Sequence, residues 1–189
     1  MKSAFVLILV SASLSAQDSA PTPQSACGPM NAKFEINIDN RQSPPNVKAE
    51  AGKALVYVIE EQLRGVKEIT VRVGLDGSWV GATRGDSYIS FRVEPGQHHL
   101  CADIMPGVRS ASIGRVSLFG FTAEAGSVYY FRARTTGGAP TSTWGNELGD
   151  PISISLDLDL VNRDEGKYLV TFSPLSVSNA RPVGSGKDK

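Results

Sequence analysis

Residues 67–104 read KEITVRVGLDGSWVGATRGDSYISFRVEPGQHHLCADI, short β-prone runs broken by turn residues at intervals of roughly ten. Within it, Leu75-Asp76-Gly77-Ser78 carries the Asp-Gly pair that type I′ turns favour, because both central residues need positive φ. The strands flanking it, at 67–74 and 78–82, are therefore expected to pair. Glu94-Pro95-Gly96-Gln97 is a second tight turn, with proline presetting one φ and glycine accepting the next, and it joins strands at 87–93 and 97–104. Alternation across 88–93 directs Ile89, Phe91 and Val93 to a core and Tyr88, Ser90 and Arg92 away from it.

The same grammar extends in both directions. Further strands are expected at 33–38, 53–60, 113–123, 127–135 and 151–161, and Ala123-Glu124-Ala125-Gly126 supplies a third turn. In 151–161, Ile152, Ile154, Leu156, Leu158 and Leu160 share one face, while Ser153, Ser155, Asp157 and Asp159 share the other. Asn162-Arg163-Asp164-Glu165 then has the cap-then-acid spacing of a helix start, predicting a short helix over 163–172 that ends before Pro174. Three hairpins in so short a stretch leave little room for βαβ crossovers. The expectation is an all-β antiparallel β-sandwich of about 7–9 strands with one short C-terminal helix. It occupies 33–176, with a flexible tail over 177–189.

The N-terminus is an address. Lys2, an apolar run over 4–10 and a small-residue stretch over 11–16 have the three regions of a secretory signal peptide, cleaved after Ala16. The run is shorter than the roughly 20 residues that span a bilayer, so no transmembrane span is expected in the mature chain. Residues 17–32 read as a linker, and Cys27 lacks the context that lipidation requires. The expected location is the periplasm or the extracellular space. There the two cysteines, Cys27 and Cys101, are expected to form a disulfide that ties the N-terminal arm to the sheet. Lys plus Arg number 19 against 19 Asp plus Glu, so no basic field exists to gather phosphates and nucleic acid is not an expected partner.

Catalytic chemistry finds little foothold. His98 and His99 are the only histidines, and as strand neighbours they point to opposite faces, one packed and one exposed, so they cannot chelate one metal together. No nucleophile elbow, metalloprotease helix, phosphate loop or dinucleotide fingerprint is present, and no metal or cofactor is expected. Asp157 and Asp159 read as a solvated strand face. The ligand-binding candidates are aromatic and arginine side chains: Trp79 after the Asp-Gly turn, Tyr88 with Arg92 on one strand face, and Tyr130 with Arg132 and Arg134 on another. These point to a non-enzymatic binding or envelope-associated module whose partner is a protein or glycan of the cell envelope. Two alternatives stand beside it: an enzyme site built from scattered residues such as His99, Asp103 and Tyr88, and a structural subunit that self-associates through an edge strand.

Four blocks add a resemblance. They are Gly52-Lys53-Ala54-Leu55-Val56-Tyr57-Val58, Gly74-Leu75-Asp76-Gly77-Ser78-Trp79-Val80-Gly81, Val93-Glu94-Pro95-Gly96-Gln97-His98-His99-Leu100-Cys101, and 121–131 with Phe121, Gly126 and Phe131. Together, across about 50–175, they resemble a family of bacterial exported proteins classed as a domain of unknown function and similar to PEGA-type β-sandwich modules. The resemblance implies a small all-β exported or lipid-anchored domain and supplies no catalytic residues. The absence of a lipidation cysteine departs from the lipoprotein members. Cys27-Gly28-Pro29 with Phe34 resembles an N-terminal extension of some members.

Overall fold

Asp76 and Gly77 adopt φ of 50° and 79°, the pair of positive values that a type I′ turn requires, and the strands on either side pair antiparallel. This hairpin sits in a computed structural model that describes residues 27–29, 31–40, 50–62, 69–105, 116–137 and 154–181. The expected signal peptide at 1–16, most of the linker and the start of the 113–123 and 151–161 strands lie outside the described residues. The elements, in chain order, are β1 (Lys33–Asp39), β2 (Ala54–Glu61), β3 (Thr70–Leu75), β4 (Ser78–Arg84), β5 (Tyr88–Val93), β6 (Gly96–Ile104), β7 (Ser117–Ala123), β8 (Val128–Gly137), β9 (Ile154–Val161), α1 (Arg163–Phe172) and β10 (Leu175–Arg181).

The strands form two sheets, a six-stranded one in the order β1-β10-β5-β2-β8-β9 and a four-stranded one in the order β4-β3-β6-β7. The fold is all-β, as the turn pattern indicated. Two expected hairpins are not hairpins. The Glu94-Pro95-Gly96 turn carries the chain from β5 in the large sheet to β6 in the small one, and the turn at 124–126 carries it from β7 back to β8. A tight turn reverses the chain but does not oblige both strands to share a sheet. The two-residue I′ geometry, by contrast, matches the twist of a paired ribbon. Strand β8 consequently runs parallel to β2, and β10 runs parallel to β5.

The main core lies between the sheets. Val56 and Val58 of β2, Val71 and Val73 of β3, Leu100 of β6 and Phe131 of β8 are buried in it, with Phe119 and Phe121 packed against Phe131. In β9 the alternation holds through Ile154, Leu156 and Leu158, which are buried, with Asp157 and Asp159 exposed. It fails at its end, where Leu160 is exposed and Val161 is buried instead in a second cluster beneath α1. That helix starts where the sequence indicated: Asn162 Oδ1 accepts from the Asp164 and Glu165 N–H groups, and the helix stops at Ser173.

The expected flexible tail is corrected at its first residues. Residues 175–181 are β10, which pairs with β1 along its full length, so the domain does not end at 176. Its small polar alternation, Ser176 and Ser178, hid it from an apolar-period search and explains its place. Ser176 Oγ donates to the Ala82 carbonyl at 2.8 Å, and the Ala82 N–H donates to Ser178 Oγ at 2.8 Å. These hydroxyls satisfy the outer edge of β4. At the opposite seam the Leu158 N–H of β9 donates to Ser117 Oγ of β7 at 3.0 Å.

Candidate functional site

The outer face of the four-stranded sheet is made by alternate residues of β3, β4 and β6, and it carries a charged pair where water would be expected. Arg72 and Asp103 oppose each other across β3 and β6 and are ion-paired, and only 2% of the Arg72 side chain is exposed. The guanidinium lies 4.6 Å from the centre of the Trp79 ring, a cation–π geometry. What excludes water is the N-terminal arm, residues 27–29 and 31–32. The Cys27–Cys101 disulfide fastens it to β6, as the cysteine count indicated. Trp79 Nε1 donates to the Pro29 carbonyl at 2.9 Å, and Arg72 Nη1 donates to the Ala32 carbonyl at 3.1 Å. Phe34 of β1 meets the same indole edge-on with ring centres 6.5 Å apart.

The outer face of the six-stranded sheet is covered differently. Tyr57 and Tyr130 stack at 5.1 Å with planes 8° apart, Tyr88 tilts against Tyr57 at 5.9 Å, and α1 closes over them with Gly166 and Val170 buried. Burial raises the pKa of all three phenols: Tyr57 with help from Tyr130, Tyr130 against the opposing charge of Arg163, and Tyr88 to about 12 with help from Tyr57 and Asp39. They remain neutral packing groups. Beside the helix, Arg132 donates to Glu165 at 2.8 Å and lies within 4 Å of Glu61 and Asp159, and Arg134 reaches Glu61 at 3.3 Å. The outer surface of α1 presents Tyr168 and Phe172, 64% and 73% exposed, with ring centres 4.7 Å apart.

At one end of the sandwich stands His98. Its Nδ1 is 2.7 Å from Asp76 Oδ2 and its Nε2 is 2.7 Å from the Glu94 carbonyl, while its ring packs on Phe121. His99 points the other way and is 81% exposed, so the expected split of one packed and one exposed imidazole holds. Gly120 faces His99 across β6 and β7, and its missing side chain opens a shallow depression of about 280 Å³ lined by Gln97, His98, His99, Gly120, Phe121 and Thr122.

The chain matches no family model, no curated protein and no solved structure.

The sequence candidates do not converge on one surface. Trp79 is half-buried under the arm, Tyr88 is 1% exposed beneath α1, and Tyr130 is 7% exposed in the tyrosine stack. Both tyrosines do point away from the main core, so the alternation was right about direction; each is covered by an element that periodicity does not see. Arg92 alone stays open, 3.4 Å from Glu50, and Arg132 is committed to carboxylates. The scattered trio is likewise not assembled. Tyr88 lies under α1 on one outer face, His99 and Asp103 belong to the other, and those two are four residues apart on a strand, about 13 Å. Among the described residues no group of three or more His, Cys, Asp or Glu is placed to hold a metal ion, and no helix is long and apolar enough to cross a membrane. Sequence reasoning missed Tyr168 and Phe172, whose i, i+4 spacing in a short helix was the available signal.

Proposed function

We propose that this chain is an exported, non-enzymatic β-sandwich that works as a protein-binding module of the cell envelope, docking through the outer surface of α1. The observation that carries this is the Tyr168–Phe172 pair. A helix that covers a sheet normally turns a polar surface to water; this one turns two large, exposed rings side by side. Aromatic side chains are among those that dominate protein interfaces. Fully burying one ring contributes about 1.5–3 kcal/mol, so the pair supplies the energetic centre of a modest interface. The rings are tilted 51° to each other, a notch for an aliphatic side chain and a poor platform for a flat sugar face. Two further points support the setting: the disulfide suits an oxidising compartment, and the resemblance of the four blocks is to exported domains.

The test is comparative capture from envelope extracts by the oxidised mature chain and by a Tyr168→Ser, Phe172→Ser variant. The expected result is a retained protein whose recovery falls at least tenfold with the variant, while both proteins give the same circular dichroism. Equal recovery by both overturns the reading.

A further inference from the structure

Gly120 stands in the middle of β7 without a reason internal to the fold. A glycine inside a strand marks a bulge, a corner, or a place where a ligand or another backbone comes close. The pairing of β6 with β7 runs unbroken from Gly96 opposite Ala123 to Ala102 opposite Ser117, so the strand carries neither bulge nor corner here. The φ of Gly120 lies outside the left-handed region, so the backbone conformation does not demand a glycine. Among the described residues nothing lies within 4 Å of where its Cβ would stand, so no neighbouring segment needs the space. What remains is an approach from outside, into the depression of about 280 Å³ that the missing side chain opens.

The rim says what kind of ligand. Gln97 pairs with Thr122 and His99 with Gly120 on the face turned away from the core, so an exposed amide, hydroxyl and imidazole surround a floor of glycine backbone and Phe121. Amides, hydroxyls and imidazoles both donate and accept, which is what alcohol groups require of their partners. Asp76 Oδ1 lies 4.0 Å from His99 Nδ1, too far for a direct hydrogen bond and a gap that a hydroxyl can bridge. An anionic ligand is poorly served: no lysine or arginine lines the depression, and the His98 ring is already committed to Asp76 and the Glu94 carbonyl. A pyranose, with hydroxyls around apolar C–H faces, matches a polar rim around an apolar floor. We propose that this depression binds a single neutral sugar unit, its C–H face laid over Gly120 and its hydroxyls taken by Gln97, His99 and Thr122, with Asp76 accepting beside His99. The site lies on the four-stranded sheet, whereas α1 packs on the six-stranded one, so it is independent of the docking proposed there.

The experiment follows the backbone amide resonances and the His99 ring of the oxidised chain by NMR while glucose, galactose, N-acetylglucosamine and inorganic phosphate are added in separate titrations. The expected result is a saturable shift centred on residues 97–99 and 120–122 with at least one sugar and none with phosphate. Gly120→Val, which fills the depression without displacing any atom, weakens that binding at least tenfold and leaves the rest of the spectrum in place; Gln97→Ala weakens it from the rim with the floor intact. Tighter binding of a trisaccharide of the same sugar identifies a glycan chain as the source, and equal binding a free or terminal unit; either supports the site. No saturable shift at these residues with any of the sugars, shifts that phosphate reproduces, or binding that neither Gly120→Val nor Gln97→Ala reduces overturns the proposal.

Discussion

His98 bridges the β3–β4 turn of the small sheet and the β5–β6 corner that joins the two sheets, and its partners fix its charge. A carboxylate and a backbone carbonyl only accept, so both ring nitrogens must carry protons for both 2.7 Å contacts to be hydrogen bonds. Burial works against that charge, but the bonds to Asp76 and to the Glu94 carbonyl, with the Asp76 charge, outweigh it and raise the His98 pKa above 6.5. A raised folded-state value means that the stabilisation is complete below the ordinary imidazole value and is lost as pH rises through the folded one. Asp76 gives the acid limb of the same pair. Burial opposes its charge, yet the bonds from His98 and from the His99 N–H lower its pKa below 3.8, so stability is present above that value and is lost as pH falls through the lowered one. Deprotonating His98 removes one of its two bonds and the attraction to Asp76. A charge-assisted bond is worth about 1.5–3 kcal/mol when sheltered, an exposed pair about 0.2–1, and the pair is mixed: 13% exposed at His98 and 44% at Asp76. The expected loss is therefore about 1–2 kcal/mol. The assay is urea unfolding at several pH values above 6.5 for the wild type and His98→Gln, whose difference cancels His99 and the terminal amine, together with the NMR titration of the His98 ring. The wild type should lose its advantage over the variant across that window. Parallel profiles for the two proteins, or a His98 resonance that titrates at or below 6.5, would refute the bridged-imidazolium reasoning.

Two further predictions concern the framework. Replacing Cys27 and Cys101 together by Ala removes a cross-link between residues separated by 74 positions, which the chain-entropy relation values at about 4.5 kcal/mol; the melting temperature followed by circular dichroism should fall by about 9–18 °C, and a loss below about 1 kcal/mol contradicts it. Gly166→Ala sets two effects against each other: helix propensity favours alanine by about 1 kcal/mol, but the new methyl would overlap the Cβ and ring of Tyr130, held in a stacked pair, and overpacking costs about 1–3 kcal/mol. The steric effect should win, lowering the urea midpoint, whereas Gly120→Ala, with open space at its Cβ, should leave it unchanged.

Much of the fold was legible because its signals are local. The positive-φ demand of Asp76-Gly77, the Asn162 cap and the two-residue period in 88–93 depend on a residue and its neighbours, and the structure places them as read. Strand β10 was illegible because its conspicuous side chains are serines, which serve an edge and not a core. The corners at 94–96 and 124–126 were misassigned because turn chemistry is blind to which sheet receives the next strand. Tyr88 shows the same limit for the site: its direction follows from parity, but its burial depends on a helix some eighty residues away in the chain.

Aromatic and arginine side chains on strands were singled out because on a β surface they can stack on sugars or dock a partner. In the folded chain, Trp79 and Arg72 bind peptide carbonyls, and Arg132 binds carboxylates. The chemistry is recognition in every case, and the ligand is the chain itself. A strand residue cannot signal whether its partner arrives from another molecule or from an element a hundred residues away, because the two-residue period encodes a face and not its occupant. The side chains still free to meet an external partner are therefore those left over once internal recognition is complete. Among the described aromatics, Tyr168 and Phe172 are the most open, 64% and 73% exposed, on the element that precedes β10 in the chain. A helix whose buried stripe is as narrow as Gly166 and Val170 has little apolar surface of its own to spare, so two rings spent on its outer side are better explained by an occupant than by packing.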